Sequence, residues 1–459
     1  MEKNNRRREK GKTACARIRK ETEQPIVKMD VAGIDVSKAD VWVCISSDKA
    51  KENVRQYRTF TVELEEMAKW LKEYGIKEVA FEATGSYWIQ MYRLLRGKGF
   101  DAVVFLPGTL KGFQRPKTDP LDCQWIWRIA AQGMLKRSFV PEGEIAEIRV
   151  YDRQKTEIRG RAGDCVRHMQ KALTVMNIKL DVVLSNITGK SGLSMIRDIL
   201  AGERDVKKLA AYRDRRVAAS VEEVEQALAG IYSEEQIFIL RQAMEQWEML
   251  KGQEEECEKR IGAVLERLAT RRQSEIGVVK WEEPEKRKVS VEPWKAQCLM
   301  QIYGVDVTRL PGFGTDLGVS VLGETGYDLN LWETAKRHAS WTRLAPRLAR
   351  SGGKDIKMKR SRLIMPRIGR LFLQAAVAAR DTETMIGAKY RRLRKRKSGN
   401  VAAQATAHDL QGKFYRMVKE KKSYQEIGAQ GYDAQFRARE FENLTRRAQK
   451  LGMKLTPAA

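Results

Sequence analysis

The amino-acid sequence predicts an α/β domain followed by a longer region that is mostly helical. From residue 27 to about 135, short apolar runs with strand character alternate with helical segments, which is typical of a layered α/β domain. From about residue 142 to 270, apolar residues recur three and four positions apart, as the buried side of long helices requires. The last region contains short helices and glycine turns, so the predicted fold class is α/β plus mostly α.

The strands and helices of the first domain follow from these patterns. Three strands come first, at residues 27–36, 41–46 and 57–62. Helices are then predicted at 67–74, 87–96 and 123–135, and strands at 78–81 and 102–106. Three consecutive strands followed by alternating helix and strand predict a mixed sheet.

Two apolar seams define the helical middle. The first comprises Ile158, Ala162, Cys165, Met169, Ala172, Met176 and Val183. The second comprises Ile237, Leu240, Met244, Trp247, Cys257, Ile261, Val264 and Leu268. We expect the two arms to pair as an antiparallel coiled coil, within one chain or across a dimer, with a helical insertion at the tip. Such seams indicate packing and carry no chemistry.

These patterns divide the chain into five parts. A basic arm, residues 1–26, has almost no large apolar side chains and cannot form a core. The other four are the α/β domain at 27–140, the helical domain at 141–270 with its tip at 187–220, a linker at 271–293, and the C-terminal domain at 294–459.

Charge predicts the kind of partner. The chain has 459 residues and a formal net charge of +27, from 87 Lys and Arg against 60 Asp and Glu. Such an excess favours a polyanionic partner, nucleic acid first, because each neutralised phosphate releases a condensed counterion. A merely basic, soluble surface is the alternative.

Other features exclude several classes of protein. No apolar run approaches the roughly 18 residues of a membrane span, and no hydrophobic signal-peptide core follows the first residues, so we expect a cytosolic protein without a membrane partner. The six cysteines and three histidines are scattered, which indicates neither a zinc finger nor a disulfide framework.

Four acidic residues fall where short segments are predicted to be strands or the turns after them. They are Asp35, Glu82, Asp119 and Asp122. In a chain this basic, carboxylates kept together indicate a divalent-metal site, where Mg²⁺ can orient a phosphodiester. Taken singly, each is more simply a helix cap or a solvated charge, and Asp119 in particular can cap the helix that follows it. No histidine lies near them in sequence, so metal-bound water or the phosphate itself would handle protons.

The C-terminal domain contains a serine followed by two glycines. Ser351 precedes Gly352, Gly353 and Lys354, and cations surround this segment in sequence, among them Arg350, Lys357 and Arg360. Glycines after a serine allow a phosphate to approach the backbone closely, and the cations neutralise its charge. The apolar face of the helix after Pro366 is predicted to support this loop.

Two further segments are candidates for nucleic-acid contacts. The turn with Gly312 and Gly314 can offer backbone N–H groups to a phosphate, although a plain tight turn is equally compatible with it. The basic run 389–397, with Arg391 and Arg392, is predicted to contact the nucleic-acid backbone. A solvated helix face is the alternative there.

Five short motifs, in this order, resemble those of the DEDD transposases of bacterial insertion sequences. They are Gly33–Ser37, Glu82–Tyr87, Lys117–Asp122, Leu310–Gly314 and Ser351–Lys354. The resemblance implies a RuvC-like (RNase H-like) N-terminal domain, a coiled-coil middle and a C-terminal transposase domain. It also implies that the four acids bind the metal, that Ser351 is the nucleophile, and that Lys117 contacts nucleic acid. The basic stretch after Lys354 and the N-terminal arm depart from the family pattern.

The family resemblance implies a function and partners as well. It implies a recombinase that joins donor and target DNA through a phosphoserine, guided by a noncoding bridge RNA, and acting as a homodimer or homotetramer near the nucleoid. Two alternatives stay open on the residues alone. One is a metal-dependent nuclease or Holliday-junction resolvase that uses water, and the other is a non-catalytic nucleic-acid-binding protein.

Overall fold

The computed structural model contains two compact units, residues 1–140 and 141–459. It describes residues 25–106, 119–282, 290–346, 349–351, 354–356 and 365–453, and of residues 119, 349–351 and 354–356 it describes the backbone. No helix within these ranges is long and apolar enough to cross a membrane.

The first unit contains a five-stranded mixed sheet, as predicted. Its strands are β1 (Val31–Val36), β2 (Asp40–Cys44), β3 (Val54–Arg58), β4 (Glu78–Glu82) and β5 (Asp101–Phe105). They lie in the order β3-β2-β1-β4-β5. The first three strands pair antiparallel, whereas β4 pairs parallel with both β1 and β5. The parallel strands β1 and β4 therefore lie at the centre of the sheet.

Helices cover both faces of the sheet. Helices α1 (Thr61–Glu73) and α2 (Tyr87–Gly97) pack on the face formed by alternate strand residues such as Ile34 and Phe81. Helix α3 (Asp119–Ala131) packs on the opposite face, against residues such as Ala80. This alternation follows from the two-residue period of a strand.

The third strand was predicted three residues too late. It was expected at 57–62 and runs over Val54–Arg58. Glu63, in the first turn of α1, accepts a 2.8 Å hydrogen bond from the backbone N–H of Arg58 and also contacts its guanidinium. The strand therefore ends at Arg58, and the apolar residues Phe60 and Val62 belong to the start of the helix.

The second unit begins with two long helices that are joined by several short ones. Helix α4 (Gly143–Val175) carries the first predicted seam, which continues beyond its end. Short segments follow at the tip: α5 (Leu180–Val183), α6 (Lys190–Ala201), α7 (Val206–Ala210) and α8 (Val221–Leu228). Helix α9 (Glu234–Ile276) then returns along α4 and carries the second seam.

The contacts between the long helices show that they run antiparallel. Lys155 pairs with Glu258 at 2.7 Å and Arg159 with Glu254 at 2.7 Å, so partner numbers fall along one helix as they rise along the other. Most seam residues are buried, among them Ile158, Met169, Leu240 and Ile261. The periodicity thus predicted which faces of the two helices meet.

The remainder of the second unit is mainly helical. It comprises α10 (Pro293–Tyr303), a 3-10 turn (Val307–Arg309), α11 (Thr315–Thr325), α12 (Ala335–Trp341), α13 (Arg367–Ala378), α14 (Met385–Arg396), α15 (Gly399–Glu420) and α16 (Gly428–Lys450). Two short strands, β6 (Ala349–Ser351) and β7 (Lys354–Ile356), pair antiparallel. Phe313, Phe372 and Phe414 contact one another at ring-centre distances of 5.6 to 6.1 Å and centre this core.

Candidate metal and serine sites

Two of the predicted metal ligands lie side by side in the sheet. The register of β1 and β4 pairs Ile34 with Phe81, so Asp35 and Glu82 occupy equivalent positions on adjacent parallel strands. Ala80, two residues before Glu82, faces α3. Because residues two apart on a strand share a face, both acids lie on the α3 side, at the carboxyl ends of the central strands.

Helix α3 lies directly on β1 near these acids. A Cβ atom added to Gly33 would lie 2.6 Å from the Cα of Trp127 and would also meet the carbonyl oxygen of Cys123. Only a glycine allows this approach, which explains its place two residues before Asp35. Asp122, next to Cys123 in α3, is therefore held at the same face of the sheet and is half-buried.

The candidate metal ligands lie beside a buried thiol and offer carboxylate oxygens. The pKa of the Cys123 thiol is raised well above its usual range, first by burial, then by a hydrogen bond with Cys44, and further by the negative charge of Asp35. Asp35, Glu82 and Asp122 are half-buried and offer only carboxylate oxygens. Oxygen donors of this kind suit a hard divalent cation such as Mg²⁺. The residues present therefore fit the metal that their pattern predicts.

For Asp119, the fourth predicted ligand, the structure describes only the backbone. Asp119 is the first residue of α3, one turn before Asp122 and Cys123. The position agrees with either of its two sequence interpretations, a metal ligand or a helix cap. Lys117, the predicted nucleic-acid contact before it, lies outside the described residues.

Ser351 is the last residue of its strand. It lies opposite Lys354 in the β6 and β7 pair, and Arg350 lies opposite Asp355. The ends of strands and the loops that follow them are common places for functional residues in proteins. The predicted contacts Gly352, Gly353, Lys357 and Arg360 lie outside the described residues.

The glycine turn before α11 is buried. Gly312 and Gly314 lie in the core of the domain. Gly312 has a φ of +80°, and a Cβ atom there would lie 2.9 Å from the carbonyl carbon of Ala375 in α13. Positive φ and close helix packing both require glycine at this position. Burial favours the tight-turn interpretation, and phosphate binding by this turn stays a prediction.

The basic helix α14 has two kinds of cation. Arg391 donates hydrogen bonds to the carbonyl oxygens of Arg380 and Thr382, at 3.0 and 2.7 Å. Arg392 lies over the ring of Phe436 in α16. Both side chains thus support helix packing, while the cations of residues 394–397 are exposed. Nucleic-acid binding by Arg391 and Arg392 stays a prediction.

A separate acidic group lies in the second unit. Within the described ranges, three acids bring their carboxylate oxygens within 4.8 Å of one another at one place, formed by Glu258, Glu292 and Asp316. The ammonium group of Lys295 lies among them, 2.7 Å from Glu292 and 3.1 Å from Asp316. Burial alone would lower the pKa of Lys295, but hydrogen bonds to these acids raise it above its usual range. A lysine therefore already neutralises this group, and it is no argument for a second metal.

The sequence patterns did not predict a partly buried ion network in the second unit. Arg367, the first residue of α13, pairs at 2.7 Å with Asp152 of α4. Arg153 of α4 binds both carboxylate oxygens of Glu324 in α11, at 2.8 and 2.9 Å. Arg367 and Asp152 are 215 residues apart in the sequence, and Arg153 and Glu324 are 171 apart, so no local motif predicts either pair. The polar residues at helical spacing on an otherwise apolar side of α4 were the only available signal.

Two family models match the chain. A transposase model of the DEDD type from IS110 elements matches residues 32–178, which include Asp35, Glu82, Asp119 and Asp122. A model described as transposase of the IS116/IS110/IS902 family matches residues 306–405, which include Ser351. No curated protein matches the chain. Enzymes of this kind cut and rejoin DNA and depend on a metal. The chain belongs to the IS110-type family of DEDD transposases of bacterial insertion sequences.

Proposed function

We propose that this transposase recombines donor and target DNA through a covalent phosphoserine at Ser351, assisted by Mg²⁺ at the four acids. The observation that carries the proposal is the placement of Asp35 and Glu82 at equivalent positions of two adjacent strands, on the face covered by the helix that bears Asp119 and Asp122. In the proposal, the first unit is a RuvC-like domain, and the two long helices form a coiled coil.

The four acids and Ser351 have different roles in the proposed reaction. Asp35, Glu82, Asp119 and Asp122 hold Mg²⁺, which when bound stabilises negative charge on the phosphate. The Ser351 hydroxyl attacks the phosphorus, a bond from Oγ to phosphorus forms, the bond to the 3′-oxygen breaks, and the hydroxyl proton passes through water to the departing oxygen. That oxygen leaves as a 3′-hydroxyl. The phosphoserine conserves the bond energy, so a 3′-hydroxyl of another strand can reseal the chain without ATP.

Basic and glycine residues bind the nucleic acids. We assign phosphate contacts to Lys117, Gly312, Gly314, Arg350, Gly352, Gly353, Lys354, Lys357, Arg360, Arg391 and Arg392. The net charge of +27 supports a polyanionic partner of considerable length. The partners are donor and target DNA and a noncoding bridge RNA that supplies the sequence recognition.

Assembly completes the active site. The acids and the serine lie in different compact units of the chain. A homodimer or homotetramer can therefore combine the acids of one protomer with the serine of another, so that cleavage depends on assembly.

An adduct assay tests the mechanism. Purified protein is mixed with the noncoding RNA of its element, donor and target DNA, and Mg²⁺, and covalent protein–DNA adducts are resolved on denaturing gels. We expect Ser351→Ala to abolish the adduct and Asp35→Ala to reduce it at least a hundredfold. The exposed residues Ser340 and Glu52 provide matched alanine controls that should react normally.

Other outcomes of the same assay identify other functions. If Ser351→Ala cuts DNA as well as the parent protein and no adduct forms, the enzyme is a hydrolytic nuclease or resolvase. If neither Asp35→Ala nor Ser351→Ala changes recombination, the site assignment is wrong. Omitting the RNA tests guidance, because recombination should then be lost.

A further inference from the structure

The network around Arg367 lies where three helices of the second unit meet. Its guanidinium donates to Asp152 Oδ2 at 2.7 Å and to Thr156 Oγ1 at 2.8 Å, both on α4. The opposite oxygen of Asp152 accepts a 2.9 Å hydrogen bond from Ser320 of α11. Asp152 is only 3% exposed, so its carboxylate is shielded from water, whereas Thr156 lies at the exposed edge of the network. One carboxylate thus joins α4, α11 and α13.

A second acid extends the network by one turn. Glu324 of α11 is bound by Arg153 of α4 and lies 3.6 Å from the Nε atom of Arg367. The two helices approach closely here, because a Cβ atom on Gly323 would lie 3.1 Å from the Cα of Arg149. The position of α11 on α4 is therefore set by backbone packing as well as by charge.

The network anchors the helix that follows the serine strands. Arg367 is the first residue of α13, the next helix after Ser351 along the chain. Farther along α13, the close contact between Ala375 and Gly312 fixes the helix. The first turn of α13 packs closely on the carbonyl oxygen of Thr342 through Gly369, and the side chain of Arg367 ties the same turn to α4. Helix α4 itself begins three residues after the end of the unit that carries the four acids.

We propose that Arg367, held by Asp152, is a positioning residue for the serine chemistry. It ties the first turn of α13, the next described helix after Ser351 along the chain, to the long helix that follows the acid-bearing unit. The inference rests on the proposed function, since it assigns Arg367 a role in the reaction of Ser351.

A loss of positioning at this network can be distinguished from a loss of stability. Replacing a buried ion pair by apolar residues of similar volume is often neutral or stabilising, because the charges no longer have to be desolvated. An apolar pair has no directional bonds, however, whereas the Nη2 group of Arg367 donates to two acceptors on α4, Asp152 and Thr156, which fixes direction as well as distance. The double variant Arg367→Met with Asp152→Leu should therefore fold and yet place α13 loosely.

Adduct formation under single-turnover conditions, with a nicked DNA substrate that traps the phosphoserine, measures the effect. We expect the double variant to form the adduct at least tenfold more slowly, with its Tm within a few degrees of the parent and its DNA Kd within twofold. Arg367→Lys keeps the charge but not the planar, pre-organised guanidinium, so its rate should lie between the two. Arg370→Met, on the exposed side of the same helix, is the matched control and should react normally.

Hydrogen exchange gives a readout that does not depend on the chemistry. Amides in the first turn of α13 should exchange faster in the double variant, while those in the middle of α9 should be unchanged. Unchanged exchange overturns the inference, and so does a parental rate of adduct formation. A rate loss matched by equal losses of Tm and DNA affinity also overturns it, because the role is then structural. A parent protein that forms no adduct instead removes the proposed function.

Discussion

At the scale of single residues, Gly33 determines how close the helix that carries Asp122 lies to the strand that carries Asp35. A side chain at this position would collide with the backbone of Trp127 and Cys123. Neighbouring backbone cannot move away as a flexible side chain can, so even one methyl group forces α3 off the sheet. A glycine inside a strand pattern is a recognised sign of such an approach, and the sequence contains it.

Gly33→Ala should destabilise the protein by about 3 kcal/mol or more, because overpacking against backbone is costly. It should also lower metal-dependent adduct formation, since α3 carries Asp119 and Asp122. Urea denaturation followed by tryptophan fluorescence measures the first effect. Gly97→Ala, where the new methyl group meets nothing within 4 Å, is the control and should change stability by less than about 1 kcal/mol. Equal losses in both variants would contradict this account.

His338 is a residue whose role is structural. It is fully buried among Trp332, Trp341 and Tyr415, and its Nδ1 atom lies 2.6 Å from the side-chain nitrogen of Gln411. Because the amide nitrogen donates, Nδ1 accepts and the ring is neutral. Burial lowers its pKa to about 4.

This lowered pKa predicts a pH dependence of stability. The folded-state pKa lies below the unfolded value near 6.5, so the stabilisation is complete above pH 6.5 and is lost as the pH falls towards 4. The loss attributable to His338 should reach roughly 3 kcal/mol. In His338→Asn, which is less stable at every pH, the dependence between pH 6.5 and 4 should weaken by that amount. His168→Gln, at an exposed position of α4, should keep the parental slope.

At the scale of elements, the spacing of apolar residues predicted individual helices and strands but not the contacts between distant ones. The predicted segments 78–81, 87–96 and 102–106 match β4, α2 and β5 within one residue at each end. The seams of the long helices were also predicted, because burial imposes a three- and four-residue spacing on both. What the sequence could not show are contacts between residues far apart in the chain, such as Arg367 with Asp152, since no local pattern records them.

The acids of the candidate site illustrate the same limit. Strand-end positions placed Asp35 on the first predicted strand and Glu82 at the end of a later one, but the sequence did not show that these two strands are adjacent and parallel. The buried lysines of α4 and α10 were not predicted, since an isolated lysine in a helical pattern is ordinarily a solvated charge. Lys155 and Lys295 are both almost completely buried and share Glu258. Their pairing fixes α4, α9 and α10 together.

Lys295→Met should destabilise the second unit by about 1 to 3 kcal/mol, because Glu258, Glu292 and Asp316 lose a shared cation, while their partial exposure and the remaining Lys155 partner of Glu258 limit the loss. Thermal unfolding followed by circular dichroism measures the change. Lys259→Met removes the same charge from an exposed position of α9 and should cost no more than about 0.5 kcal/mol. Similar melting temperatures for the two variants would show that the carboxylates do not need Lys295.

At the scale of the whole molecule, the two halves of the proposed site belong to separate compact units. Asp35 and Glu82 are part of the unit at 1–140, and Ser351 is part of the unit at 141–459. The sequence carries both halves but no information on which protomer supplies each. In the proposed mechanism, the acids of one protomer act with the serine of another. Cleavage then requires assembly, so a single protomer does not cut DNA unproductively.

Mixing two inactive proteins tests this arrangement. Asp35→Ala lacks a metal ligand and Ser351→Ala lacks the nucleophile, so the first alone should form at most about a hundredth of the parental adduct and the second none. If the site combines two protomers, half of the dimers in an equal mixture contain both variants, and one of their two sites is intact. Adduct formation should then recover to roughly a quarter of the parental level.

A site built within one protomer predicts a different result. No intact site then exists in any mixed assembly, and the mixture should stay as inactive as its components. The proteins must exchange subunits before DNA is added, which a mixture of differently tagged parental proteins verifies through co-purification.

The adduct should also form only on the protein that retains Ser351, because that chain supplies the nucleophile. Adducts on the Asp35→Ala chain alone would therefore establish that the serine acts with acids from its partner.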